Sequence, residues 1–450
     1  MKNKLNAKET AAIAIMLFGM FFGAGNLIFP VYMGQAAGYN VWYAIPGFLI
    51  TGVGIPMLAV AALGISKSNG LLELSSKISR GYGLFFTCLL YLTIGPFFAI
   101  PRCATVPFSS SVEPLIGKTG SAAALAIFSA LFFLAVLWFS LKPSDILRNI
   151  GKILTPIFLV SLFLLVIASF VSPTGKISDI KPDTVYNSHA FFEGFIQGYN
   201  TMDALAGLAF GIVVVNVIKE LGITDGDAIA KNTVYAGVFS CLFMAIIYIA
   251  VTIMGVQSRG AYPLSANGSE ALSVIAKHYF GYAGYIILAV TVTFACLKTS
   301  VGLITSCSEA FCSMFPKGPK YKTWAIIFCV VSFLIANIGL TSIISFSLPV
   351  LMFLYPLAIT LIAVSLLAKL FGSSLKDVYV CTTFLTLIAA LFDFANALPD
   401  GVKSTLGLNV LVDFAGKYLP MFSLGLGWVC PALAGIAVGV VISLVRRKTK

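Results

Sequence analysis

The chain has 450 residues, 59% of them hydrophobic and only 10% charged, with a mean hydropathy of +0.98. A soluble domain carries about 25% charged residues, so a soluble fold is excluded, and no polar stretch is rich enough to mark a separate soluble domain. The net charge of +12 does not point to nucleic acid, because the basic residues sit in short connections between apolar runs, where they set orientation in a bilayer.

The apolar runs are about twenty residues long, the length of a membrane-crossing helix, and lack the ten-residue alternation of a membrane barrel. Twelve spans are expected, near 11–33, 41–64, 82–101, 121–140, 153–171, 191–216, 233–256, 281–312, 324–340, 342–368, 378–398 and 421–445. The first run has no small-residue cleavage site and continues to Pro30, so it reads as a retained span. With the N-terminus placed inside, 20 Lys/Arg fall in inner segments and 8, Arg102 among them, in outer ones, while Lys298 falls within a span. That asymmetry places both termini in the cytoplasm.

In chain order, the first polar interruption is Met20-Phe21-Phe22-Gly23-Ala24-Gly25-Asn26 at the middle of the first span. Glycine lets backbone leave helical geometry, and the Asn26 amide finds no partner in lipid. Unwound backbone at membrane depth is tolerated only where protein or a watery cavity covers it, so this stretch reads as a discontinuous helix around a polar ligand. Gly19 and Gly23 also form a small-xxx-small face that would serve helix packing alone.

In the third span, Gly95-Pro96 with Pro101 marks a kink that, with Tyr91, would shape a pocket wall. The loop 172–190, with Pro173, Gly175 and Pro182, falls where two five-helix halves would join. Span six then carries Gly198, Asn200, Thr201, Asp203 and Ala204 at its middle. A carboxylate at that depth costs roughly 2.5–3.5 kcal/mol on insertion scales and marks a functional site by default. The bland alternative is an ordinary helix with Asp203 paired to a neighbour.

Two interrupted helices in corresponding positions of two halves are the sequence pointer to an inverted-repeat transporter with its site at the midplane. Free N–H groups at one half-helix start attract an anion, and free carbonyls at another half-helix end attract a cation. Span eight adds Cys296, Lys298, Thr299 and Ser300. The two hydroxyls are hard ligands for an alkali cation, or bond back to their own helix. Lys298 reads as a proton carrier, a fixed charge standing in for an ion, a partner of Asp203 or Glu309, or a group in the inner path. Asp393 in span eleven reads as structural.

The nine cysteines, in or beside apolar runs and without a CxxC pair, read as buried small hydrophobes. His189 and His278 read as outer-loop surface residues. Walker A, HExxH and GxSxG sequences are absent, which argues against an ATP-driven pump and motif-bearing hydrolases.

Phe22-Gly23-Ala24-Gly25-Asn26-Leu27-Ile28-Phe29-Pro30, the broken sixth span, and Cys296-Leu297 followed by Thr299 and Gly302 resemble the branched-chain amino acid:cation symporters, the BrnQ-like family. The first-span pattern is also similar to LeuT-type transporters. The resemblance covers essentially the whole chain. It implies an all-α integral membrane protein with about 12 transmembrane helices, a 5+5 inverted-repeat core (11–171 and 191–368) and two added helices (378–445).

The implied activity is uptake of leucine, isoleucine and valine across the bacterial inner membrane, driven by sodium or protons, with no enzymatic step and no cofactor beyond the coupling ion. The implied partners are the amino-acid substrate and the lipid bilayer, not nucleic acid. By the same resemblance, backbone from Phe21 through Phe22, Gly23, Ala24 and Gly25 meets the substrate carboxylate and a cation, and Asn26 is a side-chain ligand. Asn200, Thr201, Asp203 and Ala204 hold the amino group. Gly19, Phe22 and Cys296 carbonyls with Thr299 and Ser300 form a sodium site. A transporter of another amino acid or an organic cation remains the alternative on the same fold, and a channel or membrane enzyme the alternative class.

Overall fold

The computed structural model describes residues 4–23, 25–117, 120–141, 145–372 and 375–448, and all regular structure among them is helical. Helix α1 (Ala7–Phe21) starts with a capping box: the Asn6 side chain accepts from the Glu9 N–H, and the Glu9 carboxylate accepts from the Asn6 N–H, each at 2.9 Å. These two bonds satisfy donors that a helix start otherwise leaves free. The chain leaves helical geometry at Phe22 (φ −77°, ψ 100°) and resumes as α2 (Gly25–Ala37). A turn at Gly38, with φ +50°, leads to α3 (Val41–Leu49), one π-type turn, and α4 (Ile55–Ile65).

After the short α5 (Leu71–Ser76), α6 (Arg80–Leu92) and α7 (Ala99–Pro107) are joined through the Gly95-Pro96 kink; a further π turn leads into the short α8 (Glu113–Ile116). The kink is real, with Gly95 at φ −97°, ψ −123°. A side chain there would place its Cβ 2.8 Å from the Cys307 sulfur, which would have to shift to admit it. Helices α9 (Ser121–Leu141) and α10 (Asp145–Val171) follow, then the sixth span as α11 (Thr184–Tyr199) and α12 (Asp203–Glu220), bent by 43°.

The remaining helices are α13 (Gly226–Ser258), α14 (Gly268–Met314), α15 (Tyr321–Ala336), α16 (Leu340–Leu366), α17 (Ala368–Phe371), α18 (Leu375–Ala397), α19 (Asp400–Thr405), α20 (Asn409–Tyr418) and α21 (Val429–Lys448). Eight helical stretches among the described residues are long and apolar enough to cross a membrane, or nine with the bent pair α11 and α12 as one span. Helix length therefore does not return the expected twelve. With 15 and 16 residues α1 and α15 are too short alone, and α2 to α4 run together over 41 residues.

Two helix starts are displaced from expectation by left-handed turns. The eighth helix starts at Gly268 rather than near 281, because a lead-in arm turns into the span at Gly281 (φ +57°). The last helix starts at Val429 rather than near 421, because Met421 and Gly425 are left-handed and break it. His189 and His278, expected in loops, lie on α11 and α14, and both are exposed.

Two interlocked pairs of helices frame the centre. α2 lies along α13: a Cβ on Gly34 would strike the Thr252 carbonyl, and one on Gly255 would strike that of Val31. α11 lies along α3 in the same way, with Gly47 against the Phe191 carbonyl and Gly194 against that of Ala44. In lipid, where burial gives no drive for helices to associate, such close backbone approach through small residues supplies the packing. The nine cysteines are all free, and Cys103, Cys296, Cys307 and Cys329 are buried.

Candidate functional site

The first break is closed by its own asparagine. Gly23 N–H donates to Asn26 Oδ1 at 2.8 Å, and Asn26 N–H donates to the Gly23 carbonyl at 3.2 Å. Asn26 then crosses to the second break: its Nδ2 donates to Asp203 Oδ2 at 2.5 Å and to the Tyr248 hydroxyl of α13. A carboxamide has two N–H donors, so both are spent, and its oxygen keeps one lone pair. Asn26 is only 2% exposed.

The second break spans Asn200 to Met202, and Met202 sits in the left-handed region at φ 60°. Thr201 Oγ1 donates to the Gly198 carbonyl at 2.9 Å, closing the end of α11. Asp203 opens α12 with its carboxylate at the helix start, where the helix dipole favours a negative charge. It also receives the Tyr248 hydroxyl at 3.3 Å. No basic side chain forms an ion pair with Asp203 among the described residues. Its carboxyl group is held by Asn26, Tyr248 and the helix start. Asn200 Nδ2 donates to Gln197 Oε1 at 2.6 Å, while Asn200 Oδ1 is buried without a partner. Ala204 is fully buried behind Asp203.

The two breaks adjoin each other, since a Cβ on Gly25 would lie 3.8 Å from the Thr201 Cα. Span eight approaches from the other side, where a Cβ on Gly23 would lie 4.0 Å from the Thr299 methyl. Thr299 Oγ1 bonds back to the Ala295 carbonyl at 3.0 Å, whereas Ser300 Oγ is buried with no partner. Cys296 is buried one turn before, and Phe21 and Phe22 flank the break. Gly19 is exposed, with open space around it. Ala24 lies outside the described residues. Lys298 is exposed on α14, and neither Asp203 nor Glu309 is within ion-pair reach of it among the described residues.

Sequence reasoning missed three contributors. Tyr248, an unremarked tyrosine in an apolar span, joins both breaks and packs edge-on against Phe48, with ring centroids 5.3 Å apart. Tyr355 of α16 stacks on Tyr199 at 4.0 Å, directly before the second break. Arg102 is the third and a correction: it is not in an outer connection but 5% exposed within α7. The Gly95 kink carries the helix on past its expected end and brings Arg102 beside the second break. The only signal was one charge at the edge of a hydrophobic run. Asp393 is fully buried in α18 against Gly427, on the side of Tyr199 at the end of α11. An apolar cleft lined by Leu27, Leu162, Leu272 and Leu288 offers nothing to a charged ligand.

Two helices broken at the same depth, facing each other through a buried amide–carboxylate pair, define a LeuT-type transporter fold. The solved structures agree. An inward-facing structure of Mhp1 matches over 98% of this chain and 91% of that one, with a TM-score of 0.64 at 12% identity. MhsT in complex with L-phenylalanine matches over 99% of each chain, with a TM-score of 0.56 at 15% identity.

The family is equally clear from sequence. Residues 6–446 match the model of the branched-chain amino acid transport protein family, and the chain belongs to that family. It is 51% identical to the branched-chain amino acid permease BrnQ of Lactobacillus delbrueckii subsp. lactis over the full length of both. Identity is 42% to BrnQ of Bacillus subtilis, again over the full length of both. The branched-chain amino acid transport system 2 carrier protein of Pseudomonas aeruginosa is 39% identical, over 97% of this chain and 96% of that one.

Proposed function

We propose that the protein is a secondary symporter that imports leucine, isoleucine and valine by alternating access, coupled to a sodium or proton gradient. The observation that carries this reading is the meeting of the two breaks at Asn26 and Asp203, because paired discontinuous helices are where such transporters hold a small polar ligand. Family membership supplies the aliphatic substrates. In this reading the chain forms twelve spans in a bacterial inner membrane, both termini are cytoplasmic, and 11–171 and 191–368 are inverted halves. Enzymatic turnover plays no part.

The N–H groups at the start of α2, from Gly25, would take the substrate carboxylate, since the Gly23 N–H is already spent on Asn26 Oδ1. Carbonyls ending α11, with Asn200, Thr201 and Asp203, would take the ammonium group. The apolar side chain would be bound by burial, at about 0.8 kcal/mol per CH₂, so the three substrates should compete with one another. A sodium ion would use the Gly19, Phe22 and Cys296 carbonyls with Thr299 and Ser300. The unpartnered Ser300 hydroxyl favours that placement.

The test is radiolabelled leucine uptake into proteoliposomes under a sodium gradient or a proton gradient, imposed separately, with unlabelled isoleucine and valine as competitors. Concentrative uptake under one gradient identifies the ion. Absence of uptake under both refutes the symport reading. Uptake that unlabelled leucine fails to displace refutes the substrate.

A further inference from the structure

Arg102 is a full positive charge inside the helical bundle, 5% exposed, with no carboxylate in ion-pair reach among the described residues. Such a charge is costly at membrane depth and survives where something specific holds it. Three elements other than its own do so. Nη1 donates to the Asn200 carbonyl at 2.8 Å, at the point where α11 ends and the sixth span unwinds. Nη2 donates to the Ser347 hydroxyl of α16. The guanidinium also lies over the Phe29 ring of α2, 5.1 Å from its centroid. The Asn200 carbonyl belongs to a helix end, where partial negative charge collects, so the guanidinium acts as its counter-charge. Nε remains without a partner.

These contacts share one side of the breaks. α2 and α11 are the halves of spans one and six that lead toward the 172–190 loop, and Ser347 lies two turns into α16. On this side Phe29, Asn200, Ser347 and Arg102 are all buried. Span ten meets the second break there twice, through the guanidinium and through Tyr355, which stacks on Tyr199.

We propose that Arg102 is the latch of the outer path: its guanidinium ties span three and span ten to the two broken helices, and these ties must part for the site to open outward. This deepens the alternating-access reading and rests on it, with the outer side assigned from the Lys/Arg asymmetry.

The test is side-specific alkylation of a cysteine at the second break. Thr201→Cys, half-buried inward of the latch, is labelled with a membrane-impermeant maleimide in intact cells, and modification is read site by site by mass spectrometry. Adding Arg102→Met, which removes the charge and both hydrogen bonds, should raise the rate at position 201 about tenfold or more, the shift expected when a charge-assisted hydrogen bond is lost from one of two states. Arg102→Lys, which keeps the charge, should fall between, and Ser347→Ala should raise the rate less than Arg102→Met. The native buried Cys307 and Cys329 should keep their rates.

Three outcomes overturn the latch: an unchanged rate at position 201, a parallel rise at Cys307 and Cys329, or a rise confined to inside-out vesicles. The labelling does not depend on the driving ion. A latch response in a protein that fails to accumulate leucine would refute the symport reading and leave the latch standing.

Discussion

The Asn26 side chain is the most connected group of the site, and replacing it gives the sharpest test. Asn26→Ala removes the acceptor of the Gly23 N–H and the donors to Asp203 and the Tyr248 hydroxyl. Two of the groups left behind lose a partner: the half-buried Gly23 N–H and the buried Asp203 carboxyl group. Each such loss costs about 1–3 kcal/mol, more for a charged group, so the paired geometry of the two breaks loses about 2–6 kcal/mol. Each 1.4 kcal/mol is a factor of ten, so leucine uptake should fall at least about thirtyfold. The apolar run of the first span keeps its length, so insertion should persist. The assay is initial uptake into proteoliposomes, normalised to reconstituted protein of matching monodispersity. Uptake within twofold of wild type would refute the idea that Asn26 joins the breaks.

Four other outcomes are expected. Tyr248→Phe keeps the ring against Phe48 but removes the hydroxyl shared by Asn26 and Asp203; uptake should fall about tenfold for one lost hydrogen bond to a charged group, and unchanged kinetics would remove Tyr248 from the site. Under a sodium gradient, Ser300→Ala should raise the sodium concentration for half-maximal uptake about tenfold, again the value of one bond to a charged group; an unchanged sodium dependence would move the ion elsewhere. Lys298→Thr should leave the pH and sodium dependence as in wild type, since the side chain is exposed, and a switch of coupling ion would contradict that. Gly34→Ala would set a methyl against the Thr252 carbonyl, with the Val256 nitrogen only 3.1 Å away; overpacking of this kind costs about 1–3 kcal/mol, and an unaltered melting temperature in detergent would contradict the interlock of α2 and α13.

Membrane class and the positions of both breaks were legible from the chain alone. Each is a local property: composition decides the solvent, and Gly23, Gly25 and Asn200 mark where a helix cannot continue unaided. The pattern at 22–30 already carries the family's signature. Span ends were missed where a left-handed turn intervened, as at Met421 and Gly425, where Gly281 turned a lead-in arm into the span, and at α7, α11 and α13, which extend beyond the expected bounds.

Tertiary structure alone decided how the polar groups are used. The partners of Asn26 lie 177 and 222 residues away in sequence, and no spacing rule links residues so far apart. A lysine within a span reads as buried until the helix face is known, and the structure turns Lys298 outward. An arginine at the edge of a run reads as a loop residue until a kink is found to carry its helix onward, and the structure turns Arg102 inward. Sequence specifies which groups lipid will not tolerate; which neighbour satisfies each of them is settled only when the helices pack.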